Sequence, residues 1–361
     1  MIPLVKVLMP DKAILMPALE AVLYSGMVAE GESVYRFERE FARHFGLTTV
    51  VCMSSGTASL HAALALAGVR PGDEVVSTPM TAEPTNMAIL YAGAVPVWAD
   101  VEADTGTLDP RSVQETITER TAAIMVVHYA GYPARMDELS RIAASRGIPL
   151  IEDCAHALGA EYGGKPVGLQ GDFSIFSFQA IKHMTTVDGG ALVLKDPSQL
   201  DEAKRFRWFG LAKGVARTNV DIKAIGYKYN MNNVTAAIGL AQLDAIDPII
   251  ARHKANGAYY DREFAGMGGF KPARFEAAAS PSYWIYSLLC DDSEDACRSL
   301  AEIGVEASKL HRPNNLHSIF AGSSRELPGL DRFYRRLLHI PCGWWVDDET
   351  REKIVERLRR G

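Results

Sequence analysis

Short apolar runs alternate with helical patterns through the first two thirds of the chain. The runs lie at residues 50–53, 74–77, 95–98, 123–127, 148–151, 173–176 and 191–194. Several are unbroken rather than alternating in polarity, which is typical of strands that helices cover on both faces. Amphipathic helical patterns fill most gaps, at 58–67, 84–91, 110–117 and 136–145. This alternation predicts an α/β domain with a mostly parallel sheet.

The last third follows a different pattern. From Met231 past Tyr260 the chain is strongly helical, and a Gly/Pro/Ala-rich stretch at 266–281 then leads into a short α+β tail. We therefore predict a large domain at 1–245 and a small C-terminal domain at 246–361, with the boundary on one long helix. The segment before Phe37 is expected to fold back on one of them, and it can contact the small domain.

Composition narrows the class of protein. The chain has 361 residues and a formal net charge of −6, without the clustered basic excess of a nucleic-acid surface. No apolar run reaches the roughly 18 residues that span a bilayer, and the start lacks a secretory signal pattern. Five cysteines without CxxC spacing indicate neither a disulfide framework nor a metal site. We expect a cytoplasmic enzyme that binds neither nucleic acid nor membranes.

Two segments place polar groups at the ends of predicted strands. Ser55, Gly56 and Thr57 lie between a strand and a helix, where backbone N–H groups and a hydroxyl can bind an anion. The same residues would also serve as a plain helix cap. Asp153 follows a buried strand, where a carboxylate requires a cation or hydrogen-bond donors. A protonated pyridine nitrogen, a metal or an arginine would suffice, and so would a capping role.

Lys182 stands in an otherwise uncharged stretch at 176–182. Desolvation lowers the pKa of a lysine and makes it a nucleophile for carbonyls, although a surface lysine with a buried stem is the alternative. Paired glycines at 189–190 fit a place where backbone approaches a ligand, or a simple turn. Lys228 lies just before the helical pattern that begins at Met231, and its side chain can reach an anion. None of these signals is decisive alone.

Their order and spacing are more informative. The sequences SSGTAS at 54–59, EDCAHA at 152–157, FSFQAIKH at 176–183 and DGG at 188–190 follow one another, with 29 residues from Asp153 to Lys182. In this the chain resembles the fold-type-I pyridoxal-phosphate (PLP) enzymes, and more closely the DegT/StrS family of sugar aminotransferases. The resemblance runs from about Gly31 to the C-terminus and is most specific over 54–190. It implies a mostly parallel seven-stranded sheet and a homodimer with shared active sites.

The resemblance also implies a role for each matching residue. Lys182 would form the Schiff base with PLP and move the proton, and Asp153 would keep the pyridine nitrogen protonated. The other cofactor contacts implied are Ser55, Gly56, Thr57 and Ser177 at the phosphate, Ala155 against a ring face, His156 at the ring 3′-oxygen, and Lys228 at the phosphate of the partner subunit. The cofactor would alternate with pyridoxamine 5′-phosphate (PMP).

Three positions depart from the family pattern. Relatives usually stack an aromatic residue on the cofactor where this chain has Ala82, usually have Gly at Val187, and often have Asn at Lys228. Sugar dehydratases of this fold carry His at the position of Lys182, so the lysine favours transamination.

The resemblance therefore implies an aminotransferase that moves an amino group, with L-glutamate as the expected donor, to a keto or aldehyde sugar that is nucleotide-linked. Candidate substrate contacts are Lys309, His311 and Arg312, although His311 would equally suit a surface loop. Three alternatives stay open: a PLP-dependent dehydratase or lyase, an aminotransferase for an aminocyclitol or similar ketone, and a non-catalytic PLP-binding regulator.

Overall fold

The seven predicted strands form one sheet in the structure, a computed structural model that describes residues 1–360. They are β1 (Thr49–Met53), β2 (Glu74–Ser77), β3 (Val95–Trp98), β4 (Thr121–Val127), β5 (Leu150–Asp153), β8 (Phe173–Ser177) and β9 (Gly190–Leu194), in the order β1-β9-β8-β5-β4-β2-β3. Only β9 runs antiparallel to its neighbours. The α/β fold with a mostly parallel seven-stranded sheet is thus confirmed.

Four helices of the sheet region match the predicted patterns, and three more had no predicted pattern. The first helices are α1 (Lys12–Leu23), α2 (Glu32–Phe45), α3 (Gly56–Leu66), α4 (Glu83–Tyr91), α5 (Pro110–Thr116), α6 (Met136–Arg146) and α7 (Leu200–Phe206). The four predicted patterns correspond to α3, α4, α5 and α6. Apolar clusters on both sides of the sheet bury its strands, as the unbroken runs require.

The long helix predicted beyond Met231 is wrong in one respect, because it is two helices. Helix α8 (Asn233–Leu243) and helix α9 (Ile246–Phe264) meet at a bend of 61°. Pro248 lies in the first turn of α9, where its missing N–H costs nothing. In a continuous helix its ring would clash with the carbonyl of Asp244, four residues earlier.

The C-terminal part builds a small sheet of β10 (Phe270–Pro272), β12 (Tyr286–Cys290) and β13 (Leu337–Ile340). Its helices are α10 (Ser293–Glu302), α11 (Pro328–Arg336) and α12 (Asp348–Arg359), and a third sheet joins β6 (Glu161–Tyr162), β7 (Lys165–Pro166) and β11 (Ala279–Ser280). The first residues pack here too, since Ile2 pairs with Val305 and Trp345 donates to the carbonyl of Pro3. The division at residue 245 stays a prediction.

A buried ion cluster fixes the end of β1. The guanidinium of Arg207 donates to Glu38 at 2.6 Å and to the carbonyl of Cys52 at 2.7 Å, while Glu30 accepts a further bond at 2.8 Å. Glu38 in turn accepts from the N–H of Cys52. The strand that leads into the 54–57 turn is therefore held by backbone bonds to charged side chains.

Among residues 1–360, no single helix combines the length and the apolar composition needed to cross a membrane. Helices α8 and α9 meet those criteria only as a bent pair.

Candidate active site

A cavity of about 650 Å³ lies at the carboxyl ends of the parallel strands. Open α/β sheets bind ligands at this edge. Of the residues predicted from sequence, the cavity is lined by Ser55, Gly56, Thr57, Asp153, Ala155, His156, Ser177, Lys182 and His311. Ala82 lines it as well. The structure thus brings residues from distant parts of the chain to one place.

The start of α3 forms one end of the cavity. Ser55 caps the helix by accepting from the N–H of Ala58 at 3.0 Å, and α3 begins at Gly56. A side chain at Gly56 would meet Ser177 at 3.0 Å, so β8 and α3 touch here. The first N–H groups of a helix have no partner within it, and its dipole is positive at this end. This corner can therefore bind an anion.

Asp153 is the last residue of β5 and is buried. Its carboxylate accepts from the hydroxyl of Thr85 at 2.8 Å and from the N–H of Ala155 at 3.0 Å. Burial raises the pKa of Asp153, and these two hydrogen bonds together with the charge of Lys182 oppose the rise. A cationic ring nitrogen beside it would favour the ionised carboxylate.

Lys182 lies in the loop between β8 and β9 and lines the cavity. Burial lowers the pKa of Lys182 to about 7, and the charge of Asp153 opposes this only in part. Both groups are thus shifted toward their neutral forms, because desolvation outweighs their mutual attraction. An amine with a pKa near 7 is substantially unprotonated at neutral pH and can attack a carbonyl.

His156 is buried against Trp284, with ring centroids 4.0 Å apart and ring planes at 16°. Burial lowers the pKa of His156 well below its ordinary value, and the charge of Lys182 lowers it further. The ring is therefore neutral. Its Nδ1 is buried without a hydrogen-bond partner among the described residues. Buried polar atoms are rarely left unpaired, so this nitrogen is available for a ligand.

Of the four remaining predicted contacts, one lies in the cavity and three lie outside it. His311 lines the cavity, and burial lowers its pKa to about 4. Lys309 donates to the carbonyl of Arg335, and Arg312 donates to that of Leu316, so the structure does not bring these two into the cavity. Lys228 is exposed, with its amine 4.9 Å from the centre of the Trp208 ring. Its contact with a partner subunit stays a prediction.

Two of the departures from the family pattern have a structural consequence. Ala82 precedes α4 and faces the cavity, so the usual aromatic contact is absent at that position. Val187 is exposed and has a φ of 73°, a conformation that favours glycine. The usual glycine at this place in relatives therefore has a backbone reason.

Several residues of the site were missed by the sequence reasoning. Thr85 holds Asp153, Glu83 and Gln179 line the cavity, and Trp284 lies behind Lys182 and His156. Thr85 lies in the first turn of a predicted helix that follows a predicted strand, which was a usable signal. Trp284 had none, because its contacts cross about 100 positions of the chain.

A second polar cluster lies behind the site. His128, Glu152 and Cys154 place possible ligand atoms within 4.8 Å of one another. The Glu152 carboxylate already accepts from His128 at 3.0 Å and from the N–H groups of Gly168 and Gln170. Burial raises the pKa of this carboxyl, but the hydrogen bonds of His128 and the backbone lower it overall. The cluster is a satisfied hydrogen-bond network that braces β5.

Solved structures of several proteins resemble nearly the whole chain. CalS13 from Micromonospora echinospora, a sugar aminotransferase, is 37% identical, with a TM-score of 0.95 and 100% of both chains covered. AtS13 from Actinomadura melliaura is 37% identical, with a TM-score of 0.96, covering 100% of this chain and 99% of its own. A putative sugar aminotransferase from Streptococcus pneumoniae, solved in PLP and PMP forms, is 27% identical, with a TM-score of 0.90 over 99% of this chain in both forms. It is covered over 98% and 97% of its own length in those forms.

Sequence comparison gives the same result. A protein of Methanocaldococcus jannaschii without a characterised function is 30% identical over 355 residues, which are 94% of this chain and 92% of that protein. The model of the DegT/DnrJ/EryC1/StrS aminotransferase family matches residues 11–359. The expected family, fold and enzyme class are confirmed, and the chain belongs to the DegT/DnrJ/EryC1/StrS aminotransferase family.

Proposed function

We propose that this protein transfers an amino group from L-glutamate to a keto or aldehyde sugar that carries a nucleotide, with PLP bound in the cavity. The observation that supports it best is the pairing of a buried amine and a buried carboxyl, Lys182 and Asp153, in one cavity. The likeness to the sugar aminotransferase CalS13 supports a sugar as the acceptor.

The residues present fit PLP. The phosphate would bind at Ser55, Gly56 and Thr57, where the helix start offers N–H groups and hydroxyls. Ser177 lies against Gly56 and adds a hydroxyl. The unpaired Nδ1 of His156 supplies a partner for a ring oxygen.

The chain's own groups divide the work of the reaction. Asp153 would hold a proton on the pyridine nitrogen, since its carboxylate is stabilised by a cation placed beside it. Lys182, a substantial fraction of which is unprotonated near neutral pH, would accept the proton from the α carbon of the donor and deliver it to C4′ of the cofactor. PLP supplies the electron sink for the carbanion that this proton transfer leaves.

Sugar hydroxyls would be bound by the polar side chains around the cavity mouth. Glu83, Gln179 and His311 line it, and the neutral His311 ring has an Nε2 without a partner among the described residues. None of the described residues that line the cavity is an arginine. Lys182 also favours amino transfer over dehydration, because its amine can accept a proton as a base and its ammonium can return that proton as an acid.

The half-reaction gives a direct test. L-Glutamate added to the PLP-loaded protein should bleach the visible band of the lysine-linked cofactor and release 2-oxoglutarate, measured by absorbance and mass spectrometry. A band that no amino donor changes contradicts the proposal. A panel of nucleotide-linked keto sugars, free keto sugars and cyclitol ketones with ¹⁵N-glutamate then identifies the acceptor, and label found only in the free sugars or cyclitols contradicts a nucleotide-linked acceptor.

Lys182→Ala should abolish the visible band and lower turnover by about 10²–10⁴-fold, as loss of a proton-transfer group does. Lys195→Ala is the matched control, since that side chain is 57% exposed and lies outside the cavity. The assignment of Lys182 is wrong if the band and a borohydride-fixed linkage persist in Lys182→Ala.

A further inference from the structure

Trp284 lies directly behind the two central groups of the cavity. The Nζ atom of Lys182 is 4.2 Å from the centre of the indole ring, and the His156 ring stacks on that ring at 4.0 Å. His311 is nearly parallel to the indole as well, at 10° and 6.3 Å. Trp284 is only 2% exposed, so its contacts are with protein and not with solvent.

The segment that carries Trp284 is held at every residue. Ser282 donates its N–H to Gly131 and accepts from His183, while the carbonyl of Tyr283 contacts Nδ1 of His253 at 2.8 Å. The indole Nε1–H of Trp284 donates to the carbonyl of Ile181 at 2.8 Å.

The backbone at Gly131 also lies close to the backbone at Trp284. A side chain at Gly131 would lie 2.8 Å from the backbone nitrogen of Trp284. The Nε1–H bond ends one residue before Lys182, so it ties the indole to the loop of the reactive amine.

An indole face attracts a cation, and the attraction is larger where water is excluded. The face of Trp284 is turned toward the amine of Lys182, which is the group that must be released and recaptured in each turnover. The His156 ring, which lines the cavity, also stacks on this indole. No other described aromatic ring has a lysine amine this near to its centre.

We propose that Trp284 is a positioning residue of the active site, whose indole face holds the released Lys182 ammonium in place and orients the His156 ring. This inference rests on the proposed role of Lys182 in carrying the cofactor. Trp284 is not among the residues that line the cavity, so it is assigned no direct part in the reaction. Asp153 and His156 keep their own proposed contacts with the cofactor ring.

Other charged and titratable groups also act on the Lys182 amine. They are Asp153 at the end of β5, His156 after it, His183 in the same loop and His311 in the C-terminal part. Burial lowers the pKa of all three histidines, so they are neutral near pH 7. Asp153 is thus the main charge facing the amine, and it is unchanged in the variants below.

The test compares Trp284→Phe with Trp284→Met. Both side chains are of similar bulk and both lose the indole N–H, so water entry and the lost bond to Ile181 are matched. Only Phe keeps an aromatic face. The pKa of Lys182 is measured in the full-length, cofactor-free protein by competitive labelling with acetic anhydride across pH, followed by mass spectrometry of the Lys182 peptide.

We expect the pKa of Lys182 to be lower in Trp284→Met than in Trp284→Phe by about half a unit or more. A purely structural role would move both variants equally, so equal values, or a higher value in Trp284→Met, overturn the inference. Trp284→Leu takes the place of the Met variant if the latter does not fold, and the same outcomes apply.

The glutamate experiment on the unchanged protein separates this result from the proposed function. Bleaching by glutamate together with equal pKa values leaves the aminotransferase standing and removes the role of Trp284. A pKa difference in a protein that glutamate does not bleach keeps Trp284 as the residue that holds Lys182, and overturns transamination instead.

Discussion

At the scale of single residues, the chemistry of the site depends on burial. Lys182 and Asp153 were predicted from sequence because a charged residue in an apolar stretch is unusual. The sequence does not tell how far burial would shift them, since that depends on Trp284 and other side chains from distant segments. Of the three predicted substrate contacts, His311 lines the cavity while Lys309 and Arg312 donate to backbone carbonyls outside it, because neighbours in sequence need not face the same cavity.

The pKa of Lys182 makes cofactor capture depend on pH. Because burial lowers this pKa to about 7, the amine is protonated below that pH and free to react above it. We expect the rate of PLP capture by the cofactor-free protein to rise about tenfold per pH unit below pH 7 and to level off above about pH 8. Stopped-flow absorbance of the visible band measures this. A rate that still climbs above about pH 9, as for an ordinary lysine, contradicts it.

At the scale of elements, the site is formed at the carboxyl ends of β4, β5 and β8, beside the first turns of α3 and α4. Unbroken apolar runs were sufficient to find all seven strands of the large sheet. The break between α8 and α9 was missed because both helices share one continuous pattern. Its signal was Pro248, four residues after the C-cap of α8.

The contact of β9 with α3 leaves no room for a side chain at Gly190. A Cβ there would lie 2.5 Å from the backbone nitrogen of Gly56, and backbone cannot move aside cheaply. We expect Gly190→Ala to destabilise the fold by about 2 kcal/mol, as overpacking does. It should also weaken PLP binding about tenfold or more, because the start of α3, where the phosphate would bind, is displaced.

Gly322→Ala is the control for Gly190→Ala, since nothing lies within 4 Å of a Cβ at that position. Urea unfolding and titration with PLP measure both effects. Equal behaviour of the two variants would show that α3 and β9 do not need this close approach.

The loop between β8 and β9 holds strain at Val187. A β-branched residue at a φ of 73° costs about 1–2 kcal/mol, and Val187 is 55% exposed, so little packing is lost on its removal. We expect Val187→Gly to raise the free energy of unfolding by about 0.5–1 kcal/mol, after the greater freedom of glycine in the unfolded chain is subtracted.

Val215→Gly is the matched comparison, because Val215 is 48% exposed and does not have a positive φ. It should leave the free energy of unfolding unchanged or lower it. Urea denaturation of both variants tests this, and a loss of stability in Val187→Gly would show that the loop is not strained.

At the scale of the whole molecule, the fold is set by the sequence pattern but the assembly is not. The family resemblance led us to predict a homodimer in which Lys228 serves the partner's phosphate. Lys228 is exposed and lies outside the cavity of its own chain, which suits that role. Surface residues of this kind carry no periodic signal, so sequence alone could not test it.

Hybrid dimers test the shared site. In a hybrid of Lys182→Ala and Lys228→Ala chains, one site would have both lysines and the other neither. Mixing and refolding the two variants should restore about one quarter of the unmodified activity at limiting PLP, since half of the dimers are hybrids with one intact site. Bleaching by glutamate provides the measurement.

Mixing Lys182→Ala with Asp153→Asn is the control, because both residues line the same cavity and no hybrid site is complete. Recovery in the control as well, or none in the first mixture, excludes a site shared through Lys228.

The position of Trp284 and His311 has a consequence for the order of events during synthesis. Chains emerge from the ribosome N-terminus first, at roughly 5–20 residues per second. Lys182 and Asp153 thus emerge many seconds before Trp284, which lies about 100 residues further on. Until then the reactive amine lacks the indole ring that lies beside it in the folded protein. We therefore expect a nascent chain to be unable to retain PLP before its last third has been translated, so that loading follows completion of the polypeptide.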